Sequence, residues 1–343
     1  MNTPRVWFPA IRAGSGSDVF TQRLADALNA QGVRAEITWL PHRAEYAPWS
    51  VPAPKPPEWA NVVHLNTWLH PRFIPPRLPV VATMHHVVHD PAFAPYRTRA
   101  QALYHRFWIK PIETSVLRRA DAVTAVSQYT AGQVRAVFRI EDVTVIPNGV
   151  DTELFRPGPD RPPHEPFRLL FVGNWSQRKG TDLLAPIMQA LGPNFELWVT
   201  NGLRDWRAKT LIPPNIRFLG RIPATETLVR VYQDVDALLF PSRLEGFGLA
   251  ALEAQACGLP VIATNGSALP EVIQSGDAGY LCPRDDVDAF VRACQDVKNN
   301  APMWRSVRGV APQRIKGRFS LDGIVLRYVG IYSALLGEAA PRP

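Results

Sequence analysis

Short apolar runs rich in β-branched and aromatic residues alternate along the chain with longer amphipathic segments, the pattern of parallel strands joined by crossover helices. In the first half, the runs 5–10 (RVWFPA), 36–40 (EITWL), 62–67 (VVHLNT), 80–85 (VVATMH), 122–127 (AVTAVS) and 143–147 (VTVIP) predict strands, with helices over 18–31, 97–119 and 128–138. At 156–166 the sequence becomes RPGPDRPPHEP. Proline removes backbone donors and biases its neighbours toward extended backbone, so neither sheet nor helix should cross this stretch, and it is the expected linker. The pattern then restarts, with strands at 168–173, 195–199, 216–219, 237–241, 260–263 and 279–282 and helices near 181–191, 225–233, 248–257 and 286–298. Two similar doubly wound α/β units follow one another.

The last amphipathic segment, 321–336, spaces Ile324, Leu326, Tyr328, Ile331, Leu335 and Leu336 at roughly helical intervals and predicts a terminal helix packed on neighbouring protein. A second proline-rich stretch, 41–57, has no strong period and reads as an exposed, mobile loop of the first unit. The length of 343 residues agrees with two domains, because it exceeds what one core usually encloses.

Composition narrows the function classes. An apolar share of 46% with only 20% charged residues excludes wholesale disorder. The net charge of +8 comes mostly from arginine, which favours bidentate contact with phosphates and carboxylates and fits nucleic acid, anionic lipid or a phosphorylated small molecule. Part of that charge is local. Between 97 and 119, Arg97, Arg99, Arg106, Lys110, Arg118 and Arg119 stand against the single acid Glu113, either as a solvated helix face or as a surface for an anionic membrane or lipid-phosphate acceptor. Cys257, Cys282 and Cys294 form no Cys-x-x-Cys pair, and their odd, scattered placement fits a reducing cytoplasm. The start, MNTPRVWFPAIRAG, has too short an apolar run for a signal peptide, and no stretch approaches about eighteen uninterrupted apolar residues, so any membrane contact is expected to be peripheral.

In open parallel sheets ligands bind beyond the carboxyl ends of the strands, and the informative residues lie in such loops. After ALLFPS, the segment LEGFGLAALEAQACG carries Glu245 between Leu244 and Gly246, then Phe247 and Gly248, with Glu253 farther along the helix that follows. Glycines 246 and 248 let backbone approach a ligand, the free N–H groups opening a helix favour an anion, and each glutamate can accept hydrogen bonds from hydroxyls. A ligand with sugar hydroxyls on either side of a phosphate satisfies all three features. A glycosidase acid and nucleophile pair would leave the glycine-rich helix start without a task, and a plain helix with two surface acids leaves the glycines unexplained. FVGNWSQRKG supplies cations: Arg178 and Lys179 precede a helix entered at Gly180, unfavourable for the dipole unless an anion such as a diphosphate neutralises them, although an Arg-Lys pair on a turn is also ordinary.

Gly14 and Gly16 sit between the first strand and its helix, a loop able to approach phosphate or sugar or simply to turn; Val19 breaks the G-x-G-x-x-G fingerprint and weakens an NAD reading. His85 and His86 end a strand, where one could donate to a sugar hydroxyl or a leaving phosphate, or bond to backbone. The histidine spacings with His64, His70 and His89 match no familiar zinc set. The triplets Asp234 to Asp236 and Asp286 to Asp288 could hold a cation on a diphosphate, but the first precedes its strand and the second opens a helix, so both read as structural.

In order and spacing, the glycine loop at 14–16, VVHLN, TMHH, RRADAVTAVSQYT, VTVIPNGVDTELF, FVGNWSQRKG, EGFGLAALEAQACGLPVIAT and SALPEVI resemble the retaining GT-B glycosyltransferases of family 4 through nearly the whole chain. The resemblance implies an α/β fold of two Rossmann-like doubly wound domains facing across a cleft: an acceptor-side domain at 1–158, a nucleotide-sugar-binding domain at 159–318, and a C-terminal helix in 319–343 that crosses back. It implies that Glu253 of the E-x7-E motif binds ribose hydroxyls and Glu245 the transferred sugar. Amides of Gly246, Phe247, Gly248 and Leu249 would lie near the sugar and diphosphate, Arg178, Lys179 and the backbone at Gly16 would meet the diphosphate, and His85 would contact the sugar near the reacting carbon. The Gly-Ser-Gly loop departs from the family's frequent adjacent glycines, the histidine is doubled, and the chain is short for the family.

The expectation is therefore a cytoplasmic, metal-independent retaining hexosyltransferase, associated with the inner face of the membrane, that takes a nucleotide-sugar as substrate. It needs no metal and no other cofactor, binds no nucleic acid, and passes the sugar to a glycan or lipid-linked acceptor in cell-surface polysaccharide or lipopolysaccharide synthesis. The alternatives are a GT-B nucleotide-sugar epimerase and a non-catalytic nucleotide-sugar-binding partner protein.

Overall fold

Residues 3–200, 212–273 and 279–338 are described in the computed structural model, and the chain divides into two units, Met1–Gly149 with Leu321–Pro343, and Val150–Ser320. In the first unit, strands β1 (Val6–Ile11), β2 (Ala35–Leu40), β3 (Val62–Asn66), β4 (Val80–Met84), β5 (Ala122–Ala125) and β6 (Thr144–Val145) form a parallel sheet in the order β2-β1-β3-β4-β5-β6. Its central strands are apolar on both faces because both are covered. Val6, Phe8, Val62 and Val81 pack with Phe20, Leu24 and Leu28 of α1 (Gly16–Ala30) and with the terminal helix, whereas Trp7, Val63, Val80 and Ala82 pack with Ile112, Val116 and Phe73.

Three expectations change in this unit. Helix 97–119 is divided into α2 (Arg99–Tyr104), a wide π turn (His105–Ile109) and α3 (Lys110–Arg119), because Pro111 has no N–H to return to the preceding turn. The 41–57 stretch is anchored by two short 3-10 turns, His42–Ala44 and Pro48–Ser50, with Ala44 and Val51 buried in the core and Trp108 Nε1 donating to the Glu45 carbonyl at 2.9 Å. Its apolar anchors are too irregular to give a period. In the terminal helix, Ile324, Val325, Tyr328 and Tyr332 are buried, while Leu326 is 63% exposed, being about 200° round the helix from Ile324.

The second unit contains β7 (Phe167–Phe171), β8 (Phe195–Val199), β9 (Ile216–Phe218), β10 (Ala237–Phe240), β11 (Val261–Thr264) and β12 (Gly279–Cys282), again all parallel, in the order β12-β11-β10-β7-β8-β9. Helices α4 (Gln128–Phe138) of the first unit and α5 (Leu184–Leu191), α6 (Thr225–Gln233), α7 (Leu249–Ala256) and the short α8 (Leu269–Val272) of the second connect strands, and α9 (Val287–Asn299) follows β12. Helix α10 (Ala301–Phe319) has no counterpart in the predicted elements. Its buried stripe, Trp304, Val307, Ala311, Ile315 and Phe319, is set among arginines, glycines and Pro312, and Trp304 Nε1 donates to the Asp236 carbonyl at 2.8 Å. Leu321–Glu338 is α11, which belongs with the first unit.

The proline-rich 156–166 stretch is not the boundary. It lies in the second unit, where Arg161 reaches Asp236 and the Val235 carbonyl, both at 2.7 Å, and the His164 N–H donates to Asp236. Prolines keep it out of the sheet, but its polar groups tie it to the start of β10. The division falls at 149/150 and 320/321 rather than at 158/159 and 318/319.

Both sheets place their ligand-binding edge by topology. Strand order runs outward from β7 to β9 and resumes on the other side at β10, so the loops after β7 and β10 diverge and leave a crevice at the carboxyl edge. In the first unit the same switch lies between β1 and β3.

Candidate active site

The loops after β7 and β10 carry the two motifs singled out in the second unit, and they meet backbone to backbone. Gly180 has φ +66°, and a Cβ there would stand 2.1 Å from the Pro241 carbonyl oxygen, so a side chain would force the loops apart. The Arg243 N–H donates to the Arg178 carbonyl at 2.9 Å, and Arg178 Nη1 returns a bond to the Leu244 carbonyl at 2.8 Å. Arg243, only 5% exposed, fastens the arrangement: it grips both Asp182 oxygens at 2.6 and 2.8 Å, Asp285 at 2.5 Å and the Gln177 carbonyl. One guanidinium thus joins the loops after β7, β10 and β12.

Within this frame Lys179 Nζ lies 2.5 Å from Glu245 Oε1, the Ser242 hydroxyl donates to the same oxygen at 2.5 Å, and Arg178 Nη1 is 3.8 Å from Oε2. Burial alone would raise the Glu245 pKa, but Lys179, Arg178 and Ser242 outweigh it and hold the carboxyl below its ordinary value. Burial, with help from Arg178, pulls the Lys179 ammonium down against the opposing pull of Glu245. The Ser267 hydroxyl accepts the Glu245 N–H at 2.9 Å, fixing the backbone as well as the carboxylate.

Helix α7 begins directly afterwards. Gly248 precedes it at φ +105°, and a Cβ there would meet Leu269 at 2.8 Å, so glycine is required by both conformation and space. Gly248, the N-cap residue, has no side chain to cap this end, and the dipole of α7 adds positive potential beside Arg178 and Lys179. Glu253, more than a turn into α7 and 5% exposed, accepts a bond from the buried Tyr232 hydroxyl at 3.0 Å. Arg178, Lys179 and Glu245 are therefore in direct contact, and Gly246, Phe247, Gly248, Leu249 and Glu253 continue from them along one loop and helix. The sequence reading missed Ser242, Ser267, Tyr232 and Arg243, which hold these groups. Ser242, at the end of a strand run, and Ser267, which opens SALPEVI, carried a signal.

His85 and Gly16 belong to the first unit. Gly16 opens α1, and His85 follows β4 with Nε2 2.7 Å from Asn66 Oδ1 at the end of β3. Burial pushes the His85 pKa down to about 3, so the ring is neutral at physiological pH. Deeper in this unit, Glu113 is wholly buried and accepts bonds from Thr67, Trp68 Nε1 at 2.9 Å and His89 Nε2 at 3.0 Å; burial raises its pKa against these contacts.

With Glu113 buried, no acid within 97–119 offsets its cations at the surface, and of these cations Arg119 pairs with the neighbouring Asp121, at 3.4 Å. Arg106, Lys110, Arg118 and Arg119 line a shallow groove of ≈ 690 Å³ with Pro111, Thr114 and Ser115. Arg119 is committed to the carbonyls of Pro76 and Leu78, and Arg97 to that of Val88. Nearby, Phe107 is 67% and Leu103 58% exposed. Trp49, also exposed, has its ring centroid 6.2 Å from that of Trp108. Among the described residues no helix is long and apolar enough to cross a membrane.

The aspartate triplets have structural partners. Asp236 binds Arg161, His164 and the Arg168 N–H, Asp234 pairs with Arg168, and Asp286 caps α9 by accepting the Ala289 N–H at 2.9 Å.

Two Rossmann-like α/β units, each with candidate groups at its switch point, define the GT-B class of fold. The family profiles described as Glycosyltransferase Family 4 and as Glycosyl transferases group 1 match residues 14–154 and 156–311. The chain belongs to this family of GT-B glycosyltransferases and is a transferase of that class. It is 27% identical over 308 residues to glycogen synthase from Mycobacterium tuberculosis, covering 82% of this chain and 71% of the relative. It is 28% identical to the lipopolysaccharide core biosynthesis mannosyltransferase LpsB of Rhizobium meliloti, covering 70% of this chain and 72% of that one. The structure of Anabaena Alr3699/HepE in complex with UDP-glucose is similar with a TM-score of 0.72 at 16% identity, over 96% of this chain and all of that one.

Proposed function

We propose that the protein transfers a hexose from a nucleoside diphosphate to a glycan or lipid-linked acceptor in cell-surface polysaccharide or lipopolysaccharide synthesis, with retention at the anomeric carbon and without a metal ion. The observation that carries this is the contact of Arg178, Lys179 and Glu245 beside the uncapped start of α7, at the switch point of the second sheet. As the diphosphate leaves, negative charge develops where two cations and a helix N-terminus are already oriented, which lowers the barrier electrostatically. Glu253 and Glu245 are placed along one loop and helix for hydroxyls on either side of that phosphate. Glu245 is engaged by Lys179 and Ser242, an arrangement suited to holding a sugar hydroxyl with its remaining lone pairs and ill suited to nucleophilic attack. Same-face attack within a tight ion pair therefore fits better than a covalent intermediate. The mannosyltransferase relative and the UDP-glucose-bound fold relative support the donor and acceptor classes.

Thermal-shift measurements with UDP, GDP and ADP should show one of them raising the melting temperature, because a bound nucleotide stabilises only the fold that recognises it. With the matching nucleotide-sugar, transfer should persist in EDTA, and the anomeric proton coupling of the product should report retention. An inverted product, reversible arrest by EDTA, or full turnover in Arg178→Ala/Lys179→Ala would overturn the corresponding part of the reading.

A further inference from the structure

Side chains of α1, β3 and the loop after β4 form a run of hydrogen bonds with one self-consistent set of donors. The Thr21 hydroxyl donates to the Ser17 carbonyl one turn back, at 2.9 Å, which commits its only hydrogen. Thr21 Oγ1 therefore meets Asn66 as an acceptor, and Asn66 Nδ2, 3.2 Å away, is the donor. That orientation turns Asn66 Oδ1 toward His85 Nε2 at 2.7 Å. A carboxamide oxygen only accepts, so Nε2 carries the ring hydrogen. Phe20, also on α1, stands edge-on to the imidazole with centroids 4.5 Å apart and planes at 66°, which holds the ring's orientation. Among the described residues Asn66 is the one hydrogen-bond partner of this ring.

We propose that Asn66, oriented by Thr21, is a positioning residue that fixes His85 as the Nε2–H tautomer, so that its bare Nδ1 accepts a hydrogen bond from a hydroxyl of the transferred sugar. This rests on the nucleotide-sugar donor proposed above together with the contact between His85 and the sugar that the family resemblance implies. From sequence alone, donation to a sugar hydroxyl or leaving phosphate and a bond to backbone both stood open; the Asn66 contact favours acceptance at Nδ1 instead. An accepted bond leaves the sugar oxygen richer in electrons, which suits positive charge growing on the reacting carbon, whereas a donated bond would oppose it. Burial keeps the ring in the neutral form this needs, with a pKa of about 3. The titratable neighbour on β3, His64, is held neutral in the same way, also at about 3.

The test is a long-range 1H–15N spectrum of the full chain labelled with 15N-histidine, with the His85 signals identified by their loss in His85→Gln. Between pH 5 and 8 the wild type should show a protonated Nε2 and an unprotonated Nδ1. A protonated Nδ1, in either the other tautomer or the imidazolium, overturns the proposal. Asn66→Asp puts a carboxylate opposite Nε2, and the ring should then take its second proton within that range. A ring that stays neutral in a folded Asn66→Asp protein would show that Asn66 does not control it, and should that variant not fold, the wild-type spectrum still decides the tautomer.

Affinity supplies the functional arm, through the ratio of binding constants for the stabilising nucleoside diphosphate and its sugar conjugate. His85→Lys, a donor only, should reduce that ratio about tenfold, the loss of one hydrogen bond, and by more than His85→Gln, whose amide oxygen can still accept. Equal ratios in the two variants count against the acceptor role. If no nucleotide binds at all, the donor-site reading fails while the tautomer result stands by itself.

Discussion

Lys179 and Glu245, sixty-six positions apart in sequence, are joined at 2.5 Å across the switch point of the second sheet. Both are largely withdrawn from water, with side chains 15% and 9% exposed, so the pair is balanced only while both charges are present. Lys179→Met should cost about 3 kcal/mol of stability, because it leaves the Glu245 carboxylate with Ser242 and a more distant Arg178. Adding Glu245→Leu should recover most of that loss while leaving nucleotide-sugar binding impaired. Thermal or urea denaturation of the two single variants and the double variant checks this; strictly additive losses would mean the contact carries no coupling.

Arg243 acts on the same loops from behind. Its partners Asp182 and Asp285 are about half-exposed, which screens the charge, but the fork geometry is what sets the loops after β7, β10 and β12 relative to one another. Arg243→Lys should therefore cost about 2 kcal/mol and weaken diphosphate binding, although the charge is kept. Calorimetric titration with the stabilising nucleotide would show it, and unchanged affinity would exclude the stapling role.

Much of this was legible in the sequence because strand and helix periods are local. The twelve strand runs all have counterparts in the two sheets, and Arg178, Lys179, Glu245 and Glu253 stood out because motif glycines and chemistry-bearing residues are adjacent in the chain. What escaped depends on partners distant in sequence. Arg243 lies two positions before Glu245, yet its task is defined by Asp182 and Asp285. Tyr232 is an ordinary residue of α6 until α7 brings Glu253 against it. Helix α10 hides its stripe among arginines, and the polar anchoring of 156–166 to Asp236 looks like a linker when proline content alone is read.

His64 gives the stability a pH dependence. It is 1% exposed between the Tyr332 hydroxyl at 2.6 Å and the Thr83 hydroxyl at 2.7 Å, and burial, reinforced by His85, lowers its pKa to about 3. The folded state thus prefers the neutral ring. Its contribution is complete above the ordinary value of 6.5 and is lost as pH falls from there toward about 3, amounting to about 2 kcal/mol by pH 5. Glu113, with its raised pKa, acts in the opposite sense, since its burial penalty is relieved as pH falls. The difference between wild type and His64→Gln isolates the histidine: the wild type should lose about 2 kcal/mol more between pH 7 and pH 5, measured by urea denaturation. Parallel curves would mean that His64 takes up its proton equally in the folded and unfolded states, so that burial does not depress it.

The cationic groove on α3 and the turn before it suits an anionic bilayer surface. Arg106, Lys110 and Arg118 line it, Glu113 is buried and cannot offset them at the surface, and Phe107 and Leu103 stand exposed on the preceding turns. Cations beside protruding apolar side chains are what an anionic bilayer surface attracts, each cation contributing about 1 kcal/mol near such a surface. The protein should co-sediment with vesicles containing phosphatidylglycerol, less so as salt rises, and not with phosphatidylcholine alone. Arg106→Glu/Lys110→Glu/Arg118→Glu should abolish that binding. Phe107→Ser should weaken it without changing its salt dependence. Because these side chains are exposed and lie in the other unit from Lys179 and Glu245, nucleotide binding should be unaffected in both variants. Binding to neither kind of vesicle would sink the membrane role, and equal binding to neutral and anionic ones would leave the groove as a solvated helix face with no part in it.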